Sequence, residues 1–202
     1  MHLKRKTKNG FLDSLQEANK TKVIGILGSQ KGDGVTTMSI AMANYLAEIM
    51  SMKTAIVECN ETAAFERMKD NYMGKDASDN CFVVGKVTYY FSITMSDFFA
   101  TYANRYEYVI VDFGTSIKNY YGNLSKIKYR IVIGSIMPYK VFYHENLLEK
   151  EGLEEAFHLL YGDDKNVREY SKKHKISALP IPMIVNPYVI ESKLANFFQV
   201  LF

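Results

Sequence analysis

The segment from Val23 to Ile49, VIGILGSQKGDGVTTMSIAMANYLAEI, runs from an unbroken apolar stretch through a glycine-bearing loop into a helix-forming stretch. Few folds accommodate that order. It is the layout of a phosphate-binding loop, in which backbone N–H groups cradle the anion and glycines let the chain turn and approach closely. Counting the pattern G-x-x-x-x-G-K-[ST] back from Thr36 sets Gly34 on the second glycine, Val35 where the lysine belongs and Ser29 on the first glycine. The shape is kept and a charge is missing. The stretch that follows is apolar nearly all round (Met38, Ile40, Ala41, Met42, Ala43, Tyr45, Leu46, Ile49), which predicts a helix over Thr36–Met50 wedged deep in the fold. Its first turn, with Thr36 and Thr37, presents N–H groups and a dipole that favour an anion.

In a complete loop the lysine neutralises the β and γ phosphates and the Ser/Thr hydroxyl, here Thr36, reaches a magnesium ion. Losing one such preorganised group costs about 2.7–4 kcal/mol, or ~10²–10³ in rate. Fast ATP hydrolysis is therefore not expected unless another cation substitutes, and Lys31 is the candidate. Asp33 beside it places a negative charge facing any phosphate. The residues expected around phosphate are Lys31, Gly32, Asp33, Gly34, Val35, Thr36 and Thr37. The competing reading is a strand-to-helix turn with no ligand. A dinucleotide-type G-x-G-x-x-G is not formed, because Gly32-x-Gly34 is followed by Thr37.

Downstream, Tyr106-Glu107-Tyr108-Val109-Ile110-Val111-Asp112 is an apolar strand ending in a carboxylate, the layout of a Walker B segment whose aspartate holds magnesium directly or through water. Thr36 and Asp112 are thus the expected metal residues. Asp112-Phe113-Gly114 also spells a kinase DFG, but no H-R-D-x-x-x-x-N segment accompanies it and the chain is too short for two kinase lobes. The apolar segment Thr54–Glu58 ends in Glu58, which at the carboxyl end of a neighbouring strand faces the crevice where ligands bind in open α/β sheets. Glu58 either orients a water, a catalytic role it would share with Lys31, or is a carboxylate that caps the following helix or lies exposed at the strand end.

Short apolar runs alternate with longer helical stretches, the mark of βαβ units and a mainly parallel sheet. Strands are expected at Val23–Leu27, Thr54–Glu58, Tyr108–Asp112, Arg130–Gly134, Ala156–Tyr161 and Ile176–Ile181, most of them apolar enough for both faces to be covered. Further helices are expected at Ala63–Asn71, Met95–Asn104, His144–Leu153, Asn166–Lys173 and Glu191–Leu201, and an antiparallel hairpin at the sheet edge over Cys81–Phe91, turning at Gly85-Lys86. At 202 residues, a single domain over 22–202 preceded by a basic tail over 1–21 accounts for the chain. Much of the net charge of +3 sits early, in Lys4, Arg5, Lys6 and Lys8, with Lys20 and Lys22 following. Those charges lack interleaved aromatics and are a weak footing for nucleic acid or an anionic membrane. Two cysteines, Cys59 and Cys81, are too few for a disulfide framework, and the four histidines show no ligand spacing. No run approaches the roughly 20 apolar residues of a membrane span, so a cytoplasmic setting is expected.

Taken together, GSQKGDGVTTMSIAMANYLAE, KTAIVECNE and YEYVIVDFG resemble the MinD/ParA group of deviant-Walker P-loop ATPases, over about Lys22 to the C-terminus. The resemblance is closest to a degenerate subset from Gram-positive bacteria, with KYRIVIGSIMPYK similar to its strand after Walker B and IPMIVNPYVIESKLANFFQVLF to its proline-containing end and last helix. It implies a three-layer α/β P-loop NTPase fold, ATP and magnesium as ligands, and a homodimer or protein partner. Group members position other machinery on membranes or DNA. It also marks three departures: Val35 at the P-loop lysine, Gln30 at the signature lysine with Lys31 one place along, and Glu58-Cys59-Asn60 where an aspartate normally helps activate water. The function expected is therefore ATP binding with little or no hydrolysis, linked to interaction or regulation. The alternatives are a weak ATPase using Lys31 and a nucleotide-free adaptor. A last helix with Leu194, Phe197, Phe198 and Leu201 on one face is read as core-facing, although MinD proteins bind membranes through such a helix.

Overall fold

The computed structural model describes residues 21–73 and 79–202. The basic residues Lys4, Arg5, Lys6, Lys8 and Lys20 lie outside them. The strands are β1 (Lys22–Gly28), β2 (Thr54–Glu58), β3 (Cys81–Val84), β4 (Val87–Tyr90), β5 (Tyr108–Asp112), β6 (Tyr129–Ser135), β7 (Phe157–Tyr161) and β8 (Ser177–Pro180). The helices are α1 (Val35–Asn44), α2 (Ala64–Met73), α3 (Met95–Thr101), α4 (Ile117–Gly122), α5 (Val141–Leu148), α6 (Asp164–His174) and α7 (Ser192–Leu201). One sheet results, in the order β3-β4-β2-β5-β1-β6-β7-β8. All neighbours pair parallel except the edge hairpin β3–β4. That hairpin turns at Gly85, whose φ of 60° suits a glycine. The opposite edge, β8, is short and ends in Pro180, which has no N–H to offer an approaching strand.

Alternation along each strand feeds both faces. Ile24 and Ile26 of β1, with Ile56 and Ile110, pack under α1 and against α7, while Val23 and Leu27, with Val57 and Val111, meet the α3–α4 side. Both faces are apolar because both are covered, which is why these strands carry no polar alternation. The expected long helix after the loop is split. Regular α1 ends at Asn44 and the chain continues as a wider π-turn over Tyr45–Ile49, closed by Met50 N–H to the Tyr45 carbonyl at 3.2 Å. The side chain of Asn44 donates to the carbonyls of Ile40 (2.9 Å) and Pro187 (3.4 Å), tying α1 to the segment before α7.

Helix α7 buries its apolar stripe. Leu194 and Phe198 are in the core, Phe197 and Leu201 pack on it, and the Phe198 ring lies 5.1 Å from that of Tyr45. No helix among the described residues is long and apolar enough to cross a membrane. The helix expected at His144–Leu153 begins and ends earlier, at Val141 and Leu148. Helix α4 was not expected at all. It is one short turn that buries a single large side chain, Tyr120, too little to give a periodic signal.

The chain leaves β1 toward β2 on one side, whereas β6 hands over to β7 on the other. Connections departing in opposite directions open a crevice at the carboxyl ends of β1 and β6.

Candidate functional site

The loop after β1 enters that crevice. The Gly28 N–H donates to the Gly114 carbonyl (2.7 Å) and the Ser29 N–H to the Ile133 carbonyl (2.8 Å), so the loop is pinned to β5 and β6 before it turns. Gly34 has φ 78° and caps α1 without a side-chain hydrogen bond. The first-turn N–H groups therefore have neither an intrahelical partner nor a capping side chain, the condition under which a helix start binds an anion.

Thr36 and Asp112, 76 positions apart and both expected at a metal, lie in contact. The Thr36 hydroxyl donates to Asp112 Oδ2 at 2.6 Å. Asp112 Oδ1 accepts from the Gly114 N–H (2.8 Å) and the Asn60 side-chain amide (3.0 Å). Despite these donors, burial pushes the Asp112 carboxyl up to about 6, with the nearby Glu58 charge adding to the rise. Among the described residues, this fully buried carboxylate is held by neutral donors alone, with no positive partner. This donor set, one hydroxyl and one carboxylate at the mouth of the loop, fits a hard divalent cation such as magnesium.

The loop residues fall into two groups. Lys31 and Gly32 are exposed, and Gly34, Thr36 and Thr37 are half-buried at the helix start. Val35 and Asp33 are buried. Val35 belongs to the main core under the loop, where a Cβ on Gly28 would lie only 2.6 Å from its Cγ2. The residue at the lysine position thus points into the protein. Asp33 was expected to face a phosphate. It is 1% exposed and turned into the loop, its Oδ2 accepting from the Ser29 hydroxyl (2.7 Å) and the Gln30 N–H (2.9 Å). Tyr161, at the end of β7, lies over the loop: a Cβ on Gly34 would be 2.7 Å from its hydroxyl. Burial, and then the charge of Asp33, raise its phenol above the usual range.

Glu58 pairs in register with Asp112, but its carboxylate is engaged by α2. Oε1 accepts from the Thr62 hydroxyl (2.9 Å) and the Ala64 N–H (2.7 Å), and Oε2 from the Phe65 N–H (3.4 Å). That is the helix-capping alternative. The Asn60 side chain reaches Asp112, donating to both its carbonyl and its carboxylate at 3.0 Å, and the Cys59 N–H donates to the same carbonyl (2.8 Å). Beyond Asn60, a cleft of about 700 Å³ opens between the ends of β2 and β4, lined in part by Glu61, Asn119 and Lys126 and by none of the loop residues. Cys59 beside it is raised to about 11 by burial, so its thiol stays protonated. Asn60 and Tyr161 were missed as site residues. Its place two residues past Glu58, the register partner of Asp112, could have pointed to Asn60, whereas nothing local marks Tyr161.

No protein-family model matches the chain, and no curated protein does. Solved structures do. A ParA family ATPase from Chlorobium tepidum aligns with a TM-score of 0.61 at 17% identity, over 82% of this chain and 85% of that one. A plasmid partition protein from Borrelia burgdorferi bound to AMPPNP aligns at 0.56 and 14%, over 90% and 99%. The MinD-containing MinC:MinD cell division complex of Aquifex aeolicus aligns at 0.57 and 12%, over 88% and 86%. The fold is that of the ParA and MinD P-loop ATPases.

Proposed function

We propose that this chain is a cytoplasmic MinD/ParA-like P-loop protein that binds ATP with magnesium, hydrolyses it slowly or not at all, and uses the bound state to engage a protein partner or a second copy. The observation that carries the reading is the 2.6 Å contact between Thr36 and Asp112, the two residues that would share the cation. When bound, magnesium supplies the positive charge that would offset the buried Asp112 carboxylate and polarise the phosphates. Thr36 would hold it through its hydroxyl, Asn60 and Gly114 hold Asp112 in orientation, and the N–H groups of Gly34, Val35, Thr36 and Thr37 would bind phosphate oxygens. Lys31 is the exposed loop cation able to approach them.

Slow turnover follows from Val35, since the charge that a lysine would bring is replaced by a core contact. Glu58, engaged in capping α2, is poorly placed to activate water. The AMPPNP-bound relative and the MinC:MinD complex show that proteins of this fold take a nucleotide analogue and a protein partner, which makes both reasonable for this chain. Contacts with nucleic acid or membrane have weaker support.

A thermal-shift titration with ATP and magnesium tests the reading. A saturable rise in melting temperature is expected, because a ligand that binds only the folded state stabilises it. Thr36→Val should diminish it by removing the hydroxyl at little change in shape. No rise at millimolar ATP would leave the nucleotide-free adaptor as the better account.

A further inference from the structure

We infer that Asp33 is an internal anion that occupies the phosphate-cradling loop, so that any phosphate ligand must compete with a carboxylate of this chain. The inference rests on the nucleotide-site reading above and adds a regulatory contact to it. Its basis is the placement of Asp33. Its side chain is 1% exposed, and one oxygen takes two donors of the loop, the Gln30 N–H at 2.9 Å and the Ser29 hydroxyl at 2.7 Å. Donors of this kind, converging within a glycine-rich loop, are what a phosphate oxygen requires.

The other oxygen, Oδ1, is buried with no hydrogen-bond partner among the described residues, and so is Nε2 of Gln30 in the same loop. Buried polar atoms are nearly always paired, and an unpaired one on a carboxylate is costly. A purely structural turn needs only the two bonds at Oδ2, which a neutral side chain could accept. The charge is therefore surplus to the turn, and its effect falls on whatever else enters the loop. No cation buried in the loop offsets it, because Val35 stands at the lysine position and Lys31 is exposed.

The chain around Asp33 is suited to release it. Gly32 and Gly34 flank it with φ of 89° and 78°, and a Cβ on Gly32 would meet nothing within 4 Å. Glycines tolerate both signs of φ, so the peptides on either side can rotate and carry the carboxylate outward without steric penalty. Tyr161 over Gly34 is the neighbour that would have to move.

Asp33→Asn separates charge from shape. Its amide oxygen can take the two bonds of Oδ2 while its NH₂ takes the unpaired position of Oδ1. Asp33→Ala goes further, freeing the Gln30 N–H and the Ser29 hydroxyl for a ligand. Calorimetric titration of magnesium-AMPPNP into wild type and both variants, with ligand-free melting temperatures as the control for folding, reads the competition directly. Asp33→Asn is expected to bind at least about tenfold more tightly than wild type, and Asp33→Ala at least as tightly as Asp33→Asn. Finite but equal affinities in all three, or weaker binding by both variants, would overturn it and leave the nucleotide site standing. No binding by any of them at millimolar ligand would overturn both.

Discussion

Asp112 and the His144–His158 pair are both buried ionisable clusters, and they are built on opposite principles. Asp112 accepts from Thr36, Asn60 and Gly114, yet its carboxyl is still raised to about 6. The histidines form a closed chain. The Leu153 carbonyl can only accept, so His158 Nε2 carries a proton (3.0 Å). His158 Nδ1 then accepts from His144 Nε2–H (3.0 Å), and His144 Nδ1 accepts from the Tyr170 hydroxyl (3.0 Å). Every position is filled by neutral groups, and burial lowers His144 to about 3 and His158 to about 4. A self-satisfied network needs nothing further. A network whose charge has no counter-charge among the described residues is a candidate for a ligand.

The largest effect should come from breaking the closed network. His144→Ala removes a fully buried ring and leaves the Tyr170 hydroxyl and His158 Nδ1 unpaired, which is expected to cost about 3–5 kcal/mol. Urea denaturation at pH 7.5 measures it, and a loss under ~1 kcal/mol would mean the chain of hydrogen bonds contributes little. In wild type the lowered histidine values predict stability that is fully present above about pH 6.5 and lost as pH falls toward 4, because the unfolded chain takes up protons first.

Asp112 should behave in the opposite sense. Its folded value lies above its unfolded one, so the folded state holds the proton longer and stability falls as pH rises from about 4 to 6, with the full penalty present above that. Asp112→Asn should therefore stabilise the ligand-free protein by ~2–3 kcal/mol at pH 8 and by almost nothing at pH 4. Chemical denaturation at the two values checks this. A variant less stable than wild type at pH 8 would show that the carboxylate is already compensated.

The strands were legible because each is a short apolar run bounded by polar residues, and Tyr108–Asp112 was located to the residue. The edge hairpin followed from alternation and Gly85. The meeting of Thr36 with Asp112 was legible as well, since adjacent parallel strands bring their carboxyl ends together. Side-chain direction inside the loop was not. Spacing places Asp33 beside a phosphate but cannot say that Ser29 and Gln30 turn it inward. The same holds for Glu58, whose choice between water and α2 depended on where Ala64 placed its N–H. The histidines are 14 positions apart with no motif between them, and only the β6–α5–β7 crossover sets their rings face to edge. Contacts made by topology leave no local trace.

If the buried charge at Asp112 serves a cation and nucleotide site, calorimetric titration of AMPPNP with and without magnesium, on wild type and Asp112→Asn, will show it. Saturable, magnesium-dependent binding by wild type that disappears in a folded Asp112→Asn is the predicted result. Magnesium-independent binding, equal binding by the variant, or no binding by wild type would contradict it.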